Sequence, residues 1–268
     1  MTALARPIGV FDSGLGGLTV FKALARRMPE ENLIYFGDTA HVPYGSKSKE
    51  AVARYSTTIA RFLAAQGVKA IVVACNTSSA LALREIEASV RVPVIGVITG
   101  GARAAAGAAA TKRIGVIGTE ATIRSGAYES ALKRLLPRAK VFSRACPLLV
   151  PLVEEGWWNH RVTTEVAREY LKPLLAKKID SLILGCTHYP LLKATLQKVA
   201  GKGVTLIDSA EQTAIETDRR LTELGLRRVG GLSRKSYFVS DAPRRFLALS
   251  GRFLGAPVAR VSLHAFDA

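Results

Sequence analysis

The chain predicts an α/β fold of two pseudo-symmetric domains, each a mostly parallel sheet flanked by helices, with a cleft between them. Three observations carry this. Short apolar runs alternate with segments of helical periodicity, which is the pattern of parallel strands buried on both faces. The opening Ile8-Gly9-Val10 returns as Ile114-Gly115-Val116. An apolar run ending in a cysteine and then hydroxyl or amide residues also occurs twice, at Ala70–Ala82 with Cys75 and at Ser181–Leu192 with Cys186. The two recurrences have nearly the same offset, as an internal duplication requires. The expected division is residues 1–98 plus 209–268 as a discontinuous first domain and 99–208 as the second.

Taken in order, Ile8–Phe11 is a strand, and Asp12-Ser13-Gly14-Leu15-Gly16-Gly17 turns the chain into a helix from Leu18. A strand, a glycine-rich turn and a helix start form an anion-cradling layout. The turn lacks the GxGxxG spacing and the Walker lysine, so it suits a small carboxylate or amine better than a nucleotide. Asp12 and Ser13 are its polar contacts. Asn32–Phe36 is the second strand, followed by the polar loop Gly37-Asp38-Thr39-Ala40-His41-Val42-Pro43-Tyr44-Gly45 at its carboxyl end, where such sheets bind ligands. Tyr44 and Gly45 offer a hydroxyl and a backbone N–H, and His41 reads as structural.

Lys49–Gln66 has helical spacing of Val52, Tyr55, Ile59, Phe62 and Leu63, and Gly67 stops it. The strand Ala70–Ala74 leads to Cys75, Ser78–Ala88 reads as one helix, and Val94–Val97 as a strand. The alanine-rich stretch Ala102–Ala110 is a helix at the domain junction. The second unit follows with strands at 114–118, 140–142, 182–184 and 204–207 and helices at 125–135 and 163–175. Asp208-Ser209 caps a helix over Ala210–Leu224. The tail, with a strand at Tyr237–Val239 and a helix from Pro243, is expected to pack back on the first unit.

Composition bounds the function. Hydrophobic residues make up 49% of 268, enough for a packed core, and no apolar run is long enough to span a bilayer. Met1–Pro7 is too short for a signal peptide before the first strand, so the expectation is a soluble cytoplasmic protein. The net charge of +17 attracts anions, but the basic residues are scattered and no aromatic-interleaved stripe appears, which disfavours nucleic-acid binding. Three cysteines form no CxxC pair and no histidine flanks them at metal-site spacing, so no metal is expected. Cys146 lacks a second copy of its context and reads as a small buried hydrophobe.

Two thiols at equivalent places suit acid/base work. Each follows a strand at or before an expected helix N-terminus, where free N–H groups and the helix dipole favour a thiolate and lower its pKa. If the halves face each other, a ligand between them has one thiol on each side. One thiolate removes a proton from a carbon beside a carboxylate, and the opposite thiol returns one to the other face. Asn76, Thr77, Thr187 and His188 supply donors for an anionic ligand. Asp12 and Glu154 near Cys75, and His188 near Cys186, are candidates for relaying protons.

At these residues the chain resembles the glutamate racemases of the aspartate/glutamate racemase superfamily. The matching pieces are Phe11–Gly17, Gly37–Gly45, Ala74-Cys75-Asn76-Thr77, Pro151-Leu152-Val153-Glu154 and Gly185–Pro190. The resemblance implies cofactor-independent interconversion of L- and D-glutamate, supplying D-glutamate for peptidoglycan, in an active site set in the interdomain cleft. It makes Cys75 and Cys186 the acid/base residues, assisted by Asp12, Glu154 and His188, and gives substrate contacts to Asp12, Ser13, Tyr44, Gly45, Asn76, Thr77, Thr187 and His188. Glu155 adjoins Glu154, so the carried-over carboxylate is one of these two. The expected partner is the small-molecule substrate, with no membrane; the oligomeric state stays open, a homodimer included. Alternatives are a superfamily racemase or isomerase acting on aspartate or another small carboxylate, and a basic nucleic-acid-associated binding protein.

Overall fold

The computed structural model describes residues 2–266. Every strand pair in it is parallel. In chain order the elements of the first part are β1 (Ile8–Asp12), α1 (Leu18–Arg27), β2 (Leu33–Gly37), α2 (Lys49–Ala65), β3 (Ala70–Val73), α3 (Asn76–Leu81), α4 (Leu83–Ser89) and β4 (Val94–Gly96). There follow α5 (Val97–Ala108), β5 (Arg113–Gly118), α6 (Glu120–Arg124), α7 (Ala127–Leu135), β6 (Lys140–Ala145), α8 (Leu149–Glu154), α9 (Arg161–Leu175), β7 (Ser181–Gly185), α10 (Lys193–Ala200) and β8 (Thr205–Asp208). The chain ends with α11 (Ser209–Glu223), β9 (Lys235–Val239), α12 (Pro243–Leu254) and β10 (Ser262–Leu263).

The strands form two sheets, ordered β10-β9-β2-β1-β3-β4 and β6-β5-β7-β8. The run β2-β1-β3-β4 in the first is matched by β6-β5-β7-β8 in the second, so β1 corresponds to β5 and β3 to β7. β1, β3 and β7 are buried along their whole length, which is why they read as unbroken apolar runs rather than as alternating ones. The tail returns to the first sheet: β9 pairs with β2 from Leu33↔Lys235 to Gly37↔Val239.

The helix expected over 78–88 is two helices. Cys75 caps α3, so the helix begins at Asn76, and the chain breaks at Ala82. The Ser79 hydroxyl donates to the Val73 carbonyl (2.9 Å) and accepts from the Val97 N–H (3.2 Å), which pins α3 to the sheet. α4 packs on α2, as α3 also does. α5 likewise starts at Val97, directly after β4, and not at Ala102. It packs against α7 and α11.

One buried apolar cluster runs through both sheets, from Ile8, Val10 and Leu24 to Leu182, Leu184 and Leu196. α1 and α11 pack on each other across it. The carboxyl ends of the central strands of both sheets are therefore held together by a shared core. Among the described residues no helix is long and apolar enough to cross a membrane.

Candidate active site

In a parallel sheet the loops that leave the carboxyl ends of the strands share one edge, so residues distant in sequence meet there. A cavity of about 460 Å³ opens at that edge, and its walls come from loops that follow strands of both sheets. Cys75, after β3, and Cys186, after β7, both line it. Each is buried, at 5% and 6% exposure, yet reaches the cavity.

Cys75 Sγ accepts the Ser78 backbone N–H at 3.5 Å and lies 3.7 Å from Ser13 Oγ. The expected lowering of its pKa does not occur. Burial pushes the thiol up to about 11, the Asp12 carboxylate adds to this, and the Ser78 and Ser13 hydrogen bonds only partly oppose it. α3 has just six residues, and one long N–H···S contact is too little to offset removal from water. Cys186 departs from the expectation differently. It is followed by the 3-10 segment Tyr189–Leu192 before α10, so no α-helix begins at it. Its neighbour is an imidazole: His188 Nδ1 lies 3.8 Å from Cys186 Sγ.

His188 is fixed on its other side by Glu154, whose Oε1 is 3.2 Å from Nε2. Burial would lower its pKa, but the hydrogen bonds to Cys186 and Glu154, with the charges of Cys186 and Asp12, outweigh burial and push it up to about 10. These neighbours favour the imidazolium. Glu154 sits below the usual carboxylate range, held there by its hydrogen bond to His188 and by the charges of His188 and Arg245, against the opposing effect of burial. Its contacts place it beside Cys186 through His188, and not near Cys75 as the sequence leads one to expect. Glu155 does not line the cavity.

Ser13, Tyr44, Gly45, Asn76, Thr77, Thr187 and His188 all line the cavity. Asp12 is the exception among the expected substrate contacts: it is fully buried behind the wall. Its Oδ2 accepts the Gly14 N–H at 3.0 Å and its Oδ1 the Thr187 hydroxyl at 3.4 Å. Burial raises its pKa, against the charge of His188 and bonds from the loop. The Tyr44 hydroxyl donates to Asp38, so its proton is committed away from any ligand. His41 stacks on Tyr55 at 4.0 Å and hydrogen-bonds Asp38.

Asn76 is more informative. Its Oδ1 accepts the Tyr128 hydroxyl at 2.7 Å, which fixes the amide, while its buried Nδ2 has no partner. A buried donor left unpaired at a cavity wall costs stability unless a ligand uses it. Beside it, the hydroxyls of Thr77, Thr119 and Thr122 form a ring with spacings of 2.9, 3.2 and 2.9 Å. Thr119, Thr122 and Tyr128 were not singled out from the sequence. Thr119 had a legible signal, because aligning Ile114 with Ile8 places it opposite Ser13.

The family model described as Asp/Glu/Hydantoin racemase matches residues 8–217. The chain belongs to this family. It is an isomerase of the racemase kind. The chain is 52% identical to a glutamate racemase of Syntrophus aciditrophicus over 93% of each chain. It is 51% identical to one of Geobacter metallireducens, covering 97% of this chain and 98% of that one. Among solved structures it resembles glutamate racemase isoform RacE1 of Bacillus anthracis, with a TM-score of 0.93 and 41% identity over 98% of this chain and 97% of that one. The Francisella tularensis glutamate racemase in complex with D-glutamate gives a TM-score of 0.92 and 38% identity over 98% of each. The two parallel sheets flanked by helices are thus the family's architecture.

Proposed function

We propose that this chain interconverts L- and D-glutamate by a two-base reaction at Cys75 and Cys186, without a cofactor. The observation that supports it is the pair of buried thiols at corresponding strand ends of two sheets, both lining one cavity. A sulfur acting as thiolate takes the α-proton: the C–H bond breaks, an S–H bond forms, and the electron pair moves toward the substrate carboxylate. The thiol on the other wall then delivers its proton to the opposite face, and its S–H electron pair stays on sulfur. With a pKa of about 11, Cys75 rests as a thiol, ready to donate. The His188–Glu154 pair exchanges protons with Cys186 at 3.8 Å. The unpaired Asn76 amide is the donor best placed for a substrate carboxylate, because Tyr128 has already fixed it. Asp12 acts from behind the wall, through Thr187 and the field at Cys75 and His188.

In this reading the cavity is a cleft between two units, residues 1–98 with 209–268 and residues 99–208. Glutamate is assigned from the relatives' activity, and the place of action is the cytoplasm, where the product feeds peptidoglycan synthesis. The test is circular dichroism of L- or D-glutamate incubated with enzyme. Cys75→Ala and Cys186→Ala should each abolish racemisation from both sides. Cys146→Ala should keep it, since Cys146 is fully buried off the cavity wall. Full activity in either of the first two variants would refute the mechanism, and turnover of aspartate in preference to glutamate would refute the substrate.

A further inference from the structure

The family match ends at residue 217, before α12, yet α12 reaches the reaction centre. Arg245 Nη2 lies 3.3 Å from Glu154 Oε2, on the carboxylate oxygen that His188 does not use. About two turns further along, Arg252 Nη1 donates to the Glu154 backbone carbonyl at 2.9 Å. The Phe253 ring stands edge-on to the His188 ring, with centroids 5.7 Å apart. A continuous chain of contacts therefore runs from Arg245 through Glu154 and His188 to Cys186, with steps of 3.3, 3.2 and 3.8 Å.

We infer that Arg245 is a positioning residue for the Cys186 half of the reaction alone, orienting Glu154 so that its Oε1 faces His188. A carboxylate can rotate about its last bond. With Oε2 held by a guanidinium, Oε1 is left aimed at Nε2, and the imidazole keeps its Nδ1 toward the sulfur. Arg252 holds the backbone under this pair, so α12 grips Glu154 at two points. Among the described residues no comparable chain reaches Cys75: its sulfur contacts are Ser78 and Ser13, neither of them on α12. The effect is modest, because the Arg245 side chain is 62% exposed and its ion pair is screened by water.

This inference rests on the two-thiol reading, and the experiment separates the two. Enantiomers have equal free energy, so kcat/KM must be equal in both directions for every variant. The asymmetry shows instead in the primary isotope effects of α-deuterated L- and D-glutamate. Slowing proton transfer at Cys186 raises the isotope effect for the enantiomer that Cys186 deprotonates and lowers it toward unity for the other. Arg245→Gln should produce this opposed change, with kcat/KM reduced about three- to fivefold from both sides. Arg245→Lys, which keeps the charge but loses the fork, should give a smaller shift of the same polarity, and it carries the test should Arg245→Gln not fold. In a Glu154→Gln background, Arg245→Gln should add nothing. Isotope effects unchanged, or moved in the same direction for both enantiomers, would overturn the inference, as would an additive loss in the double variant. Failure of the unsubstituted enzyme to racemise glutamate would instead overturn the reading beneath it.

Discussion

His188 and Cys75 line one cavity, where burial acts to lower the pKa of the first and raises that of the second. Both groups have folded pKa values above their ordinary ones, about 10 against 6.5 for His188 and about 11 against 9.0 for Cys75. A raised value stabilises the fold where the group is protonated. The His188 contribution is whole below about pH 6.5 and lost as pH rises through 10; that of Cys75 is whole below about 9 and lost through 11. Both act in the same direction, so the urea midpoint should fall steadily between pH 7 and pH 10.5. A His188→Asn variant should show a flatter curve over that range. A midpoint independent of pH there would mean that His188 is not held as an imidazolium. Of the polar residues around these two, most stood in recognisable motifs. Tyr128 did not, because its value lies in a single contact with Asn76, 52 positions away in the chain.

The start of α1 is the tightest joint between the elements. A Cβ at Gly16 would come 2.2 Å from Thr187 Oγ1 and 2.5 Å from His188 Nδ1. The Thr19 hydroxyl, one turn on, donates to both the Gly16 and the Thr187 carbonyls at 2.9 Å. The sequence marks the glycine-rich turn after β1 as a cradle for a small carboxylate or amine, or as a tight turn. Its Ser13 and Gly14 line the cavity, and its Gly16 also lets the first helix pass beneath the turn that follows β7. Gly16→Ala should displace the His188 ring by close to 1 Å and lower kcat about a hundredfold. The far-ultraviolet spectrum should stay native. Wild-type kcat in that variant would show that the turn and His188 are not in contact during turnover. The split of the 78–88 segment into α3 and α4 belongs to the same level: local periodicity reads as one helix, and only the Ser79 contacts to β3 and α5 explain the break.

Taken whole, the molecule depends on its tail. β9 covers the open edge of β2, and α12 buries Phe246 and Phe253 to 1% exposure each. A chain ending after Leu224 would expose the β2 edge and the apolar face beneath α12, a template for edge-to-edge association. It would also lose both arginines that hold Glu154. Such a truncation should be insoluble or lack a cooperative thermal transition, monitored by circular dichroism. A soluble, cooperatively melting product would show that residues 225–268 are dispensable for the fold.

The strand sequence, the duplication and the two thiols were legible because each is written in a local pattern: an apolar run, a recurring tripeptide, a cysteine at the end of a strand. The parallel sheets then bring such strand ends to one edge. What the tertiary structure alone decided was the environment of each thiol and the partner of each charge. Burial overrides the capping effect at Cys75, Asp12 lies behind the wall, and Glu154 joins His188 beneath two arginines from the last helix. Those outcomes depend on desolvation and on contacts between residues far apart in the chain, and neither quantity has a signature in neighbouring letters.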